Sequence, residues 1–246
     1  MRSWQSRDNW LYLRQNSEWN MKIGIIAAMR KEIDLLLPLV ENKSLRTVAG
    51  VEIIDGKIGT HDVCVMECGI GKVNSALNAN TLIEAEHPDL LVNSGVAGGA
   101  DLSMGICDVL VADSVAYHDV WCGPGTEYGA AYGLPTLMRP DVRMLETAHN
   151  VLGESVKYGL ICSGDKFITA EEEIREIKSH FPQALAVDME SASIAQTASL
   201  RGVPFLIVRA ISDTPGSGEN ISQYEDFWTR APQSTFHALV SLLRAL

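Results

Sequence analysis

Short apolar runs recur along this chain at spacings that leave room for a helix between them, the pattern of strands and helices alternating around a buried sheet. Residues 22–27 read as a buried strand, and 30–40 as a helix with Ile33, Leu36, Leu37 and Val40 on one face. Residues 52–58 and 61–67 read as an antiparallel pair turning at Gly59-Thr60. A helix over 71–86 stops before Pro88, and a strand over 90–93 enters a loop at 94–99. A strand over 108–116 and a Gly/Pro-rich segment over 123–140 follow. The remainder reads as a helix (141–152), a strand (159–163), a helix (170–180), strands at 184–187 and 204–208 with a helix between them, and a terminal helix from Gln223. No internal repeat or low-complexity segment breaks this order. It predicts a single-domain α/β fold with one mixed, mainly parallel central sheet flanked by helices on both faces.

Two of these strands end in charge. Ala184-Leu185-Ala186-Val187 runs into Asp188-Met189-Glu190-Ser191, and Pro204-Phe205-Leu206-Ile207-Val208 runs into Arg209-Ala210-Ile211-Ser212-Asp213. The carboxyl ends of strands are where open α/β sheets bind ligands. Charges buried there are costly unless paired or used. Glu190 or Asp213 taken alone could be a helix cap. The two segments together say more, because Arg209 inside an apolar strand needs a carboxylate or ligand partner. Glu190, Arg209 and Asp213 are therefore expected to converge on one pocket.

Composition narrows the partners. At 246 residues and 46% hydrophobic content, the chain can bury a full core. A net charge of −11, with no basic run to offset it, argues against nucleic acid and anionic membranes. Cys64, Cys68, Cys107, Cys122 and Cys162 have no metal-site spacing and read as reduced residues of a cytoplasmic protein, with no metal implied. Residues 1–20 are polar, carry Trp4, Trp10 and Trp19, and lack the apolar core of a secretory signal. They read as an extension, poorly ordered or a helical surface arm, ahead of a domain over 21–246. No stretch approaches a membrane span in length.

Two glycine-rich turns leave strands. Cys68-Gly69-Ile70-Gly71-Lys72-Val73 lacks the spacing of a phosphate loop and the third glycine of a dinucleotide fingerprint. Its glycines either admit a ligand close to the backbone or simply make the turn. Ser94-Gly95-Val96-Ala97-Gly98-Gly99 can present backbone amides to a ligand ring, and backbone-mediated binding is the favoured reading there.

Taken together, Met21-Lys22-Ile23-Gly24-Ile25-Ile26-Ala27-Ala28-Met29 with Glu32, Gly69-Ile70-Gly71-Lys72-Val73, Asn93 to Gly99, Ser163-Gly164-Asp165-Lys166-Phe167-Ile168, Val187-Asp188-Met189-Glu190 and Arg209-Ala210-Ile211-Ser212-Asp213 resemble the 5'-methylthioadenosine/S-adenosylhomocysteine nucleosidases of the nucleoside phosphorylase superfamily. The motifs stand in the family's order from Met21 onward. The resemblance implies a nucleoside phosphorylase-like fold and a cofactor-independent hydrolase of methionine salvage. Such an enzyme cleaves the N-glycosidic bond of methylthioadenosine and S-adenosylhomocysteine and releases adenine, with 5'-deoxyadenosine and aminodeoxyfutalosine as further candidate substrates.

It also implies roles. Asp213 would protonate purine N7, Glu32 would deprotonate the attacking water with Arg209 helping to hold it, and Glu190 would grip the ribose hydroxyls and stabilise positive charge on the sugar. Met189 would lie against the ribose, Phe167 would stack on adenine, the Ile168 backbone would read the base edge, and Val96, Ala97 and Gly98 would line the site. Met29, Ile70 and Tyr224 would line the place of the 5' substituent, where nothing charged is expected. Apolar thioethers should then be preferred over a free hydroxyl, and adenine over a 6-oxo purine.

Some positions depart from the family. Val96 stands where a serine usually orients the catalytic Asp, so other groups must hold Asp213. Asp188 replaces the more usual Glu beside the ribose site. Arg30 and Lys31 replace acidic residues before Glu32, and a cation there could lower the base's pKa or, facing solvent, do nothing. Trp121, Pro124 and Leu134 mark a distinct form of the loop from Tyr117 to Pro135, which in the family reaches a neighbouring subunit's pocket in a homodimer. Two other functions stay open: a phosphate-dependent purine nucleoside phosphorylase, which needs an arginine anion clamp, and a noncatalytic nucleoside-binding protein.

Overall fold

The computed structural model describes residues 20–131, 133–230 and 234–246. The expected extension lies outside the described residues up to Asn20, whose amide donates to the Asp62 carboxylate at 3.0 Å. In chain order the elements are β1 (Lys22–Ala27), α1 (Arg30–Leu36), β2 (Glu41–Val48), β3 (Val51–Ile58), β4 (His61–Glu67), α2 (Lys72–Glu86), β5 (Leu90–Gly99), β6 (Val109–Tyr117), α3 (Val142–Leu152), β7 (Lys157–Ser163), α4 (Glu171–His180), β8 (Ala184–Asp188), α5 (Ser191–Arg201), β9 (Phe205–Asp213), α6 (Asn220–Arg230) and α7 (Ser234–Leu243).

The strands form one sheet, ordered β2-β3-β4-β1-β5-β8-β7-β6-β9, and an added β5–β9 pairing closes its last five strands into a ring. Pairs β1–β4, β1–β5, β5–β9, β6–β7 and β7–β8 are parallel, whereas β2–β3, β3–β4, β5–β8 and β6–β9 are antiparallel. The sheet is thus mixed, and parallel pairing does not dominate it as the alternating order suggested.

One antiparallel contact matters more than the others. β5 and β8 touch only where Gly98 meets Val187 and Gly99 meets Ala186, at the carboxyl end of each. Two parallel groups of strands therefore meet head-on, and both groups deliver their carboxyl ends to one place.

Side-chain alternation builds a core on each face of this sheet. Ile23, Ile25 and Ala27 of β1 pack with Ile33 and Leu36 of α1, Met144, Ala148 and Leu152 of α3, and Leu239 and Leu243 of α7. Ile26 turns to the opposite core with Leu82 and Ile83 of α2 and Ala192, Ala195 and Ala198 of α5. Every residue of β9 is buried, which is why its first half, Phe205 to Val208, reads as an unbroken apolar run.

Several elements differ from expectation. The first helix ends at Leu36 and tightens into a 3-10 turn over Leu37–Leu39, where Pro38 supplies no amide. β2 went unseen because it is an edge strand, mostly exposed and polar. The expected loop at 94–99 is instead the second half of β5. Likewise β9 continues through Asp213, so the motif expected beyond the strand lies within it. The terminal helix is two helices, α6 and α7.

Candidate active site

The carboxyl ends of β1, β4, β5, β7, β8 and β9 bring the sequence-marked residues together. Glu32 is the third residue of α1, and its side chain turns back over the helix start. Oε2 accepts from the Met29 amide and Oε1 from the Val96 amide, both at 2.9 Å. It is 3% exposed. Burial pushes its carboxyl pKa up, opposed by the Arg209 charge and by the amides of Val96, Met29 and Ala28. Gly95 makes this seat possible: a Cβ there would stand 2.6 Å from Glu32 Oε1 and 3.2 Å from Arg209 Nη1.

Arg209 is 2% exposed and lies beneath the site. Its Nε donates to Asp188 Oδ2 at 2.8 Å, Nη2 stands 2.8 Å from the same oxygen, and Nη2 also donates to Asn93 Oδ1. Asp188 accepts further hydroxyl bonds from Ser163 and Ser191. The expected link between Arg209 and Glu32 is one of charge, without a hydrogen bond. The guanidinium's hydrogen bonds go to Asp188 and Asn93, while Nη1 faces the Gly95–Glu32 side without a hydrogen-bond partner and acts there by charge alone. Asp188, which also borders a small cavity with Met189, is Arg209's buried counter-ion.

Glu190 stands at the first position before α5 without a side-chain cap hydrogen bond, and its Oε1 instead accepts from the Gly71 amide at 2.9 Å. One carboxylate thereby ties the Gly69–Gly71 turn after β4 to the end of β8. Its pKa is raised, first by burial and then by the Asp188 charge.

Asp213 is 1% exposed. Its Oδ1 accepts from Ser212 Oγ at 2.6 Å, and Asn220 also hydrogen-bonds the carboxylate. Oδ2 has no protein partner. Burial raises the pKa against those two bonds. Ser212 and Asn220 thus fill the orienting part that Val96 cannot, while Val96 contributes its amide to Glu32. Gly98, Phe167, Ile168, Val187, Met189 and Asp213 border one small cavity.

On the other side of Phe167 an aromatic wall rises from α6. Phe167 meets Tyr224 edge-on at 5.5 Å, and Tyr224 Oη lies 3.5 Å from Met29 Sδ. Ile70 is half exposed in its turn. The expectation that nothing charged lies here is wrong, because Lys31 Nζ donates to Tyr224 Oη at 2.9 Å. Arg30, by contrast, is exposed and pairs with Asp34 at 2.8 Å. The loop after β6 is pinned at this rim as well: Asp119 accepts from Lys72 Nζ at 2.6 Å and from the Asp165 amide at 2.8 Å.

Sequence reading placed Asn93, Ser163 and Ser191 within motifs without giving them a role, and it missed Asn220; all four are polar residues with no charge to mark them. Ser212, adjacent to Asp213, was likewise placed in a motif without a role. Among the described residues no group of three or more His, Cys, Asp and Glu side chains could hold a metal ion.

A family model, the phosphorylase superfamily, matches residues 22–244. The 5'-methylthioadenosine/S-adenosylhomocysteine nucleosidase of Haemophilus influenzae is 36% identical over 230 residues, covering 92% of this chain and 100% of the relative. Among solved structures, the S-adenosylhomocysteine nucleosidase of Streptococcus pyogenes in complex with 5-methylthiotubericidin superposes with a TM-score of 0.88 at 34% identity, over 94% of this chain and 99% of that one. The 5'-methylthioadenosine/S-adenosylhomocysteine nucleosidase of S. pneumoniae, with a transition-state inhibitor, gives 0.87 at 36% identity, over 92% and 99%.

Two outcomes are expected from this geometry. Asp188→Ala leaves Arg209 buried without its counter-ion and should lower the unfolding free energy by about 3–5 kcal/mol. The double variant Asp188→Ala/Arg209→Met should recover much of that loss in denaturant titrations; a double variant as unstable as the single one would contradict it. Gly95→Ala should displace Glu32 and cut turnover by roughly 10²-fold while the melting temperature falls only modestly.

Proposed function

The chain belongs to the phosphorylase superfamily, and we infer that within it the protein is a hydrolase that cleaves the N-glycosidic bond of 5'-methylthioadenosine and S-adenosylhomocysteine, releasing adenine. The observation that carries this reading is a pair of desolvated carboxylates, Glu32 and Asp213, held two residues apart along β5: the first on the Val96 amide, the second against Gly98 with an open Oδ2. Such a pair suits a reaction that needs one base and one acid.

In this reading, the nucleoside lies with its base beside Asp213, Phe167 and the Ile168 backbone, its ribose on Met189 and Glu190, and its 5' substituent toward Met29, Ile70 and Tyr224. Asp213, whose pKa burial raises, acts as the acid and donates its proton to purine N7, so the C1'–N9 electron pair leaves with a neutral adenine. Positive charge develops on the sugar, and the nearby Glu190 carboxylate stabilises it. Water adds to C1' as Glu32 accepts its proton, giving the free ribose with its 5' thioether intact. Arg209 supports this from below by its charge on Glu32 and by fixing Asp188.

A phosphorolytic reaction would need an exposed anion clamp at the ribose. Arg209 is engaged by Asp188 and Asn93 and is not available for that. A homodimer, a cytoplasmic location and a place in methionine salvage belong to the same proposal, as does a nucleosidase domain spanning 21–246. No helix among the described residues is long and apolar enough to cross a membrane.

The deciding experiment is adenine release from methylthioadenosine, S-adenosylhomocysteine, adenosine and inosine, with and without phosphate. Release independent of phosphate, with inosine nearly inert and Asp213→Asn slower by about 10²- to 10⁴-fold, supports the reading. A phosphate requirement, with ribose-1-phosphate-type products, overturns it. The pH profile of kcat/KM should be bell-shaped. Activity falls in acid as Glu32 takes up a proton, and that limb lies above the ordinary carboxylate range because burial has raised its pKa. It falls in alkali as Asp213 loses its proton, and Asp213→Asn should abolish that alkaline limb.

A further inference from the structure

Lys31 sits where a helix start disfavours it. It is the second residue of α1, and a cation in the first turn faces the positive end of the helix dipole. Among the described residues no carboxylate stands within ion-pair reach of its ammonium. Nζ instead donates to Tyr224 Oη at 2.9 Å and lies over the rings of Tyr224 and Trp228, 4.5 and 3.8 Å from their centroids.

These contacts hold the ammonium without neutralising it, since a ring attracts a cation by its quadrupole and carries no net charge. The lysine side chain is exposed. An ammonium has three donors, and the Tyr224 hydroxyl takes one. A fixed, unneutralised positive charge with a free donor therefore borders the wall made by Met29, Phe167 and Tyr224. The surroundings are otherwise acidic: Glu32 and Glu190 lie in the site and the whole chain carries −11, so an anionic substrate group would be repelled elsewhere.

We propose that Lys31 is a specificity residue that favours nucleosides whose 5' thioether carries a carboxylate, so that it binds the amino-acid tail of S-adenosylhomocysteine at the rim of the pocket and has no counterpart contact with methylthioadenosine. The proposal rests on the nucleosidase reading above, which places the 5' substituent against that wall. The tail's own ammonium turns to solvent, and its carboxylate meets Nζ.

The test compares kcat/KM for S-adenosylhomocysteine and methylthioadenosine in the wild type, Lys31→Met, Lys31→Glu and Lys31→Arg. Methionine keeps an apolar stem on the two rings, so a change in packing acts on both substrates and cancels in their ratio. The ratio of S-adenosylhomocysteine to methylthioadenosine should fall about threefold to tenfold in Lys31→Met, fall further in Lys31→Glu, and return toward the wild-type value in Lys31→Arg. Added salt should lower the wild-type ratio as well, because a charge contact at an exposed rim is screened. That arm decides the matter should a variant fail to fold. An unchanged ratio in the variants, or an equal salt response for both substrates, overturns the role of Lys31 alone. Failure of the wild type to release adenine from either substrate overturns the nucleosidase reading, and this inference with it.

Discussion

The structure of the site depends on one buried ion pair, Arg209 with Asp188. Taking both charges out of water costs several kcal/mol per ion, and the attraction between them repays that only when every remaining donor and acceptor is met. The protein meets all of them but Arg209 Nη1, which faces the Glu32 charge, with polar partners from four strands or their ends: Asn93 on β5, Ser163 on β7, Asp188 on β8 with Ser191 just beyond it, and Arg209 itself on β9. Because each partner is fixed by its strand, the pair also fixes where those strands end. The Ala192 amide donates to Ser163 Oγ at 2.9 Å, which carries the same network into the start of α5 beside Glu190.

The remaining carboxylates share a different condition. Glu32, Glu190 and Asp213 are all buried with their pKa values raised, and desolvation is the leading cause for each. Their seats differ in what opposes that burial. Glu32 has two backbone amides and a nearby guanidinium; Glu190 has one amide and the same guanidinium, with the Asp188 charge adding to the effect of burial; Asp213 has a hydroxyl and an amide side chain on one face and an open oxygen on the other. One fold thus holds three carboxylates in three electrostatic environments, the arrangement by which acid and base roles separate on a single substrate.

Two exchanges near the site illustrate how such a layout tolerates change. A valine at 96 removes a hydroxyl that could orient Asp213, and Ser212 with Asn220 supplies the missing bonds from β9 and the start of α6. A lysine at 31 introduces a positive charge one residue from Glu32, yet its side chain leaves the carboxylate and crosses to Tyr224 and Trp228. Neighbours in sequence need not be neighbours in the site, since adjacent helix positions point about 100° apart.

The sequence by itself determined the alternation of strands and helices, the buried character of β1, β8 and β9, and the presence of Glu190, Arg209 and Asp213 at or near strand ends, because burial periodicity and misplaced charge are local properties of the chain, whereas Glu32 was marked only by the family resemblance. It did not reveal β2, whose polar edge carries no apolar signature, nor that β5 and β9 run on through segments rich in glycine or charge. Only the tertiary structure decided which carboxylate answers Arg209. Asp188, Glu190 and Glu32 were all available by composition, and the choice follows from the register of β8 and β9 across a closed ring of strands. The same holds for the meeting of the two parallel strand groups at Gly98 and Val187, residues far apart in the chain. Pairing partners at long range are set by packing the whole core on both faces of the sheet, and no local pattern encodes that sum.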